Sequence, residues 1–250
     1  MASESTFYRL LRKENLITHR LRSKKPQRRQ KVETIATGPN QVWCWDITNL
    51  RSLVNGFFYK LYVFEDLYSR KIVGWDVLES ENDGDGVDIF NRALSSERIS
   101  GKGLRIHSDN GNPMRGASML AKLLQLGVRP SFSRPSVSND NAFIEALFKT
   151  LKYVPQYPSK PFRSLEHAKQ WVESFVIWYN TRRHSGINYV TPLEKHNQED
   201  QKILEGRRAV YQEAKNKNPN RWVLKTREWK VVESTSLSPY AARLINTTSL

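Results

Sequence analysis

Apolar positions change their period along this chain, and each change marks a different kind of element. Over residues 5–17 Phe7, Leu10 and Leu11 recur at helical spacing with Arg9, Arg12 and Lys13 outside, which predicts a short amphipathic helix capped by Ser5. Residues 20–31 are strongly basic around Pro26 and form a linker or arm. From residue 41 the pattern becomes β-rich. Residues 41–48, 57–67 and 71–78 predict three consecutive strands, turned by Asn55-Gly56 and Tyr68-Ser69-Arg70. A helix over 86–94 follows the acidic loop 81–85, with Asp83 and Asp85 as loop and cap residues. Then come a strand over 104–107, a helix over 117–126 and a strand over 128–133. Residues 139–147 begin a helix whose buried side is Phe143, Ile144, Leu147, Phe148 and Leu151. Residues 164–181 carry the strongest amphipathic stripe, from Leu165 to Tyr179, and that stripe is core. A last helix over 202–216 precedes the basic, Trp-bearing stretch 221–230.

A three-strand meander followed by alternating helices and strands predicts an α/β fold. Its order matches a ribonuclease-H-like mixed five-stranded sheet flanked by helices, with a basic N-terminal arm and a helical C-terminal extension. The expected division is 1–37 for the N-terminal helix and arm, 38–197 for the core and 198–250 for the basic extension. Helix plus arm is compatible with the last part of a helix-turn-helix, or with a packing helix followed by a leash.

With 38% hydrophobic and 11% aromatic residues, the chain has too many core formers for a disordered polymer. It shows no uninterrupted apolar run of membrane-spanning length, and Leu10-Leu11 is followed at once by Arg12-Lys13-Glu14, unlike a secretory signal. The lone Cys44 excludes an internal disulfide framework and a cysteine-rich zinc site, so a soluble intracellular protein is expected. The net charge of +15 is divided unevenly: residues 1–40 carry +7, residues 41–150 are neutral and residues 151–250 carry +8. Basic flanks around a neutral centre suit a polyanion that enters along the arms.

Candidate chemistry lies in that neutral centre. Asp46 follows the apolar run Val42-Trp43-Cys44-Trp45, Asp109 ends Leu104-Arg105-Ile106-His107-Ser108, and Glu145 sits near the start of a helix. Carboxylates at strand ends and on a nearby helix can converge on two divalent metals for in-line attack at a phosphodiester. Asp109 before Asn110-Gly111 also fits a simple turn former, and His107 a satisfied core histidine. Residues 145, 149 and 152 share one helix face, so Lys149 and Lys152 stand beside Glu145 for phosphate contact, or for an ordinary surface ion pair. Asp66, Asp76, Asp85 and Asp140 compete for the metal role, and Asp66, ending a strand, is the strongest rival. Further candidate DNA contacts are Arg182 and Arg183, and Arg22, Lys24, Lys25, Arg28 and Arg29 of the arm.

Several segments carry a resemblance. Val42–Thr48, Asp66–Trp75, His107-Ser108-Asp109-Asn110-Gly111, Ser133–Asn141, Glu145–Lys152, Tyr179–Ser185 and Thr191-Pro192-Leu193-Glu194 together resemble the catalytic core of bacterial insertion-sequence transposases related to retroviral integrases. The resemblance implies an Asp-Asp-Glu triad of Asp46, Asp109 and Glu145 binding two Mg²⁺ ions, with Mn²⁺ able to substitute. It implies an enzyme that nicks the terminal inverted repeats of its element in double-stranded DNA and joins the freed 3′ hydroxyl to target DNA. A dimer or higher oligomer on DNA, in the bacterial cytoplasm at the nucleoid, is expected. A helix-turn-helix module would come from a partner or a fused upstream reading frame. The alternatives are a nuclease of the same fold and a non-catalytic DNA-binding remnant; the remnant would lack a triad acid.

Overall fold

The computed structural model describes residues 3–14, 34–109, 111, 115–134, 141–222 and 225–237. Arg22, Lys24, Lys25, Arg28 and Arg29 of the arm, and Asp140, lie outside them. The chain divides into two compact units, residues 1–32 and 33–250. In the first, helix α1 spans Glu4–Lys13. Its N-cap is Ser3, not Ser5, and the Ser3 hydroxyl bonds the Ser5 and Thr6 hydroxyls at 3.0 Å instead of a backbone N–H. The expected continuation to residue 17 falls outside the described residues.

The second unit is built on a five-stranded sheet: β2 (Val42–Arg51), β3 (Phe58–Asp66), β4 (Ile72–Leu78), β5 (Arg105–Ser108) and β6 (Arg129–Phe132), in the spatial order β4-β3-β2-β5-β6. The β2–β3 and β3–β4 pairs are antiparallel, as short turns require, while β2–β5 and β5–β6 are parallel. This mixed sheet is the ribonuclease-H-like arrangement. The crossovers run through helices α2 (Asp83–Ser96) and α3 (Ala117–Gln125), and α4 (Ala142–Tyr153) and α5 (Leu165–Thr181) follow. Two departures are local. Strand β2 continues to Arg51, and α2 starts at Asp83, inside the anticipated acidic loop. Asn82 becomes its N-cap, and carboxylates in a first helical turn are favoured by the helix dipole.

Alternation along β2 and β3 splits the core into two layers. Val42, Cys44, Leu50, Leu61 and Val63 face one way and pack with Ile144, Leu147 and Leu151 of α4 and Val172 and Phe175 of α5. Trp43, Trp45, Tyr62 and Phe64 face the other way and pack with Phe90 of α2 and Met119 and Leu123 of α3. Trp45 stacks on Phe64 with centroids 5.2 Å apart, and burial of such a side chain contributes on the order of 2–3 kcal/mol. Ser164 caps α5 by accepting from the His167 N–H at 3.1 Å.

After a 3₁₀ turn at Ser185–Ile187 come α6 (Pro192–His196) and α7 (Asp200–Lys217). Ile187, Val190, Leu204 and Trp229 form a third, small core. The chain then returns to the start of this unit, where β1 (Ile35–Ala36) and β7 (Thr235–Ser236) pair antiparallel. That ribbon was not expected from the sequence, because a two-residue strand leaves no periodic pattern. Among the described residues, no helix is long and apolar enough to cross a membrane.

Candidate active site

Register brings the first two acids together. Cys44 of β2 pairs with His107 of the parallel β5, so two residues further on Asp46, inside β2, and Asp109, just beyond β5, fall on the same face of the sheet. That face is the one covered by α4. Asp46 is half-buried and its Oδ1 accepts from the Ile47 N–H at 2.8 Å. Burial pushes the Asp46 carboxyl up to about 7, and the carboxylates of Asp109 and Glu145 push in the same direction. The Ile47 N–H and the Lys152 ammonium oppose that shift. Asp46 therefore senses both other acids and one lysine.

Asp109 is exposed just beyond β5, and its Oδ1 accepts from the Gly111 N–H at 2.8 Å, so it also shapes the turn. Glu145 lies in the first turn of α4, where the dipole favours a negative charge. Ile144, Leu147, Phe148 and Leu151 anchor the helix in the core, which leaves Glu145, Lys149 and Lys152 exposed on the other side. The donor set is all oxygen, which suits a hard divalent cation such as Mg²⁺. Among the described residues, no three His, Cys, Asp or Glu side chains are close enough together to hold a metal ion as they stand. The three acids share an electrostatic field but form no coordination shell among the described residues.

The competing acids are occupied elsewhere. Asp66 is fully buried and accepts from the Asn40 N–H, the Ser69 N–H and the Ser69 hydroxyl, all within 2.8 Å. Asp76 binds Arg92 at 2.5 Å and Lys169 at 2.9 Å. Asp85 accepts from the Asn82 side chain at 3.1 Å. His107 is a buried histidine flanked by the hydroxyls of Ser131 and Ser133, at 3.1 and 3.4 Å. Of the other candidate DNA contacts, Arg182 and Arg183 are exposed just after α5, with Arg182 4.8 Å from the Trp178 ring centroid.

Two buried networks escaped the sequence reading. Glu65 accepts from the Tyr179 hydroxyl at 3.2 Å, and burial raises its carboxyl to about 7 despite the nearby Arg70. The Arg70 guanidinium stacks 3.5 Å from the centroid of Phe143, two residues before Glu145, and so ties the β3–β4 turn to α4. His196 bridges Ser69 at 2.9 Å and Glu97 at 2.8 Å, and Lys71 binds the other Glu97 oxygen at 2.6 Å. Partners from 26 to 127 residues apart leave no local signature; only the Tyr68-Ser69-Arg70 turn hints at either network.

Two family models, each described as an integrase core domain, match residues 36–138 and 126–192. The chain is 36% identical over 166 residues to the transposase of insertion sequence element IS904 from Lactococcus lactis, covering 65% of this chain and 64% of that protein. It is 33% identical over 164 residues to transposase InsF of IS3A from Escherichia coli, covering 65% and 56%. The chain thus matches less than two thirds of the length of these relatives. The structure can be superposed on the HTLV-2 integrase catalytic core domain with a TM-score of 0.48 at 20% identity, covering 64% of this chain and 97% of that one. The two matches together run from residue 36 to residue 192, more than half of the chain, and the chain belongs to the integrase-core family.

Proposed function

We propose that this chain is a DNA transposase that cuts phosphodiesters at the ends of its element and joins the freed 3′ hydroxyl to target DNA, with Asp46, Asp109 and Glu145 as its catalytic acids. One observation carries the reading. Asp46 within β2 and Asp109 just beyond the parallel β5 lie on the α4 face, and Glu145 on that helix is near enough to raise the Asp46 carboxyl together with Asp109. Three carboxylates in one field, opposed at Asp46 by the Ile47 N–H and by Lys152, form a site that favours cations and is costly without them. Two Mg²⁺ ions held there, or Mn²⁺ in their place, would activate the attacking oxygen and stabilise the leaving one.

The chain's own residues supply the rest. Strands β2 and β5 hold Asp46 and Asp109 on a rigid frame, while α4 brings Glu145 and presents Lys149 and Lys152 to phosphates flanking the cut. Arg182 and Arg183 would extend that contact, as would the arm residues. The substrate is double-stranded DNA carrying the terminal inverted repeats, followed by target DNA in the nucleoid of a bacterial cytoplasm. Because two ends must be held at once, the working form is at least a dimer on DNA. A helix-turn-helix supplied by a partner or fused frame would recognise the ends.

The test is a labelled element end incubated with Mg²⁺ and the wild-type, Asp46→Asn, Asp109→Asn or Glu145→Gln chain. Each variant should lose cleavage and joining while still binding DNA. Full activity of Glu145→Gln would sink the assignment, and cleavage without joined product by the wild type would identify a nuclease.

A further inference from the structure

The turn that joins β3 to β4 reaches across to the helix that carries Glu145. Arg70 closes that turn in left-handed backbone, with φ of 68°, and its N–H donates to the Asp66 carbonyl at 2.8 Å. A non-glycine residue there is strained, and such strain persists where the surroundings fix one geometry. The Asp66 carboxylate locks the same turn by accepting from the Ser69 N–H and hydroxyl. The Arg70 side chain therefore leaves from a fixed point.

Its guanidinium carbon lies 3.5 Å from the ring centroid of Phe143, in the first turn of α4. Glu65, which pairs with Cys44 on the α4 face of the sheet, is the main opposite charge acting on it. The bonding capacity of the pair is not filled: Arg70 Nη1 is buried without a hydrogen-bond partner, and so is Glu65 Oε2. Open buried donors and acceptors are uncommon because they cost stability. The guanidinium is thus placed by the turn and by the Phe143 ring, at the expense of hydrogen bonding.

The start of α4 has few other fixings. Its N-cap, Asn141, makes no side-chain capping bond, and both polar atoms of that side chain are buried without a partner. An uncapped first turn depends on packing to hold it in place. Ile144, fully buried, holds it from the core, and the Arg70–Phe143 stack holds it from the β3–β4 turn. Glu145 follows these two residues directly and moves with them.

We propose that Arg70 is a positioning residue for the metal site: by clamping Phe143 it sets the height and rotation of the first turn of α4, and so where the Glu145 carboxylate stands relative to Asp46 and Asp109. The inference rests on Glu145 being a catalytic acid. Arg70 needs no contact with DNA or metal and acts through Phe143.

The test uses the full chain and Mn²⁺ alone, titrated by calorimetry well below the melting point, with the melting point in EDTA recorded for each variant. Phe143→Leu removes the ring face and should weaken Mn²⁺ binding about tenfold, as loss of a residue supporting a metal ligand does. Arg70→Lys keeps the charge without the planar face and should act in the same direction. Phe143→Tyr keeps the ring and should recover most of the loss. Folded Phe143→Leu and Arg70→Lys chains that melt lower yet bind Mn²⁺ like the wild type, while Glu145→Gln binds it more weakly, would make the stack merely structural and overturn the proposal. Wild-type affinity in Glu145→Gln would instead overturn the catalytic reading of Glu145 and the proposal with it. If Arg70→Lys does not fold, Phe143→Leu decides alone.

Discussion

Asp46 and Asp66 lie on paired strands, yet their side chains leave the sheet on opposite faces. Asp46 stands across from Val63, which packs beneath α4, whereas Asp66 stands across from Trp43, which packs beneath α2. Facing residues of an antiparallel pair share a side, so the two carboxylates cannot serve one metal. Asp66 instead closes the β3–β4 turn, its oxygens filled by Asn40 and Ser69. Asp66→Asn removes part of that acceptor set in a fully buried site and should lower unfolding free energy by about 2–4 kcal/mol. A shift in the urea midpoint measures this. A normal midpoint combined with lost metal affinity would return Asp66 to the metal site.

Asp46→Asn should behave in the opposite way. It removes a half-buried negative charge that Asp109 and Glu145 repel, so the metal-free protein should melt higher by a few degrees, roughly 2–5 °C. Differential scanning calorimetry in EDTA tests this, and a lowered melting point would show that the carboxylate has an unseen partner.

Stability should peak in mildly acidic solution because of Glu97 and His196. Burial alone would raise Glu97, but His196 and Lys71 hold its carboxyl down at about 2, against an ordinary 4.5. That contribution is fully present above pH 4.5 and is lost as pH falls towards 2. Burial alone would lower His196, but Asp66 and Glu97 raise it above 6.5. Its contribution is fully present below pH 6.5 and is lost as pH rises through the folded value. Melting points across pH should therefore be highest between 4.5 and 6.5. His196→Ala should lower them there by an amount equivalent to about 1–3 kcal/mol and flatten the alkaline decline. An unchanged alkaline limb would assign that decline to another group.

Gly74 marks the closest approach of β4 to α2. A Cβ there would come within 2.7 Å of the Ala93 Cβ, with sheet and helix both fixed, so Gly74→Ala should destabilise by about 1–3 kcal/mol. A urea midpoint equal to wild type would mean that α2 can slide.

Lys149→Ala and Lys152→Ala should each weaken duplex binding and lower the salt slope by about 0.9 if each meets one phosphate. Lys152 also lies in the field of Asp46, so its loss should additionally alter the divalent-ion requirement of cleavage, while that of Lys149 should not. Equal metal titrations for both variants would contradict this difference.

The strands, their order and the helix faces were legible because hydrophobic alternation is a local property. Val42 to Trp45 read as a strand, and Ile144, Leu147 and Leu151 as one buried face that left Glu145, Lys149 and Lys152 outside. The α2 start was missed because Asp83 and Asp85 look like loop residues until the helix dipole is counted. The ribbon β1–β7 joins residues about two hundred apart, and nothing in either dipeptide announces the other.

By itself the sequence determined the elements, the acids available and the basic flanks. Each follows from residue type and spacing along the chain. Which acids can act together was decided only by the tertiary structure. Strand register sends Asp46 and Asp109 to the α4 face and turns Asp66 away to Ser69. The approach of Arg227 to the rings of Tyr189 and Trp229 was decided the same way. The physical reason is shared: a side chain's direction is a local property, whereas its neighbours depend on which distant backbone it packs against.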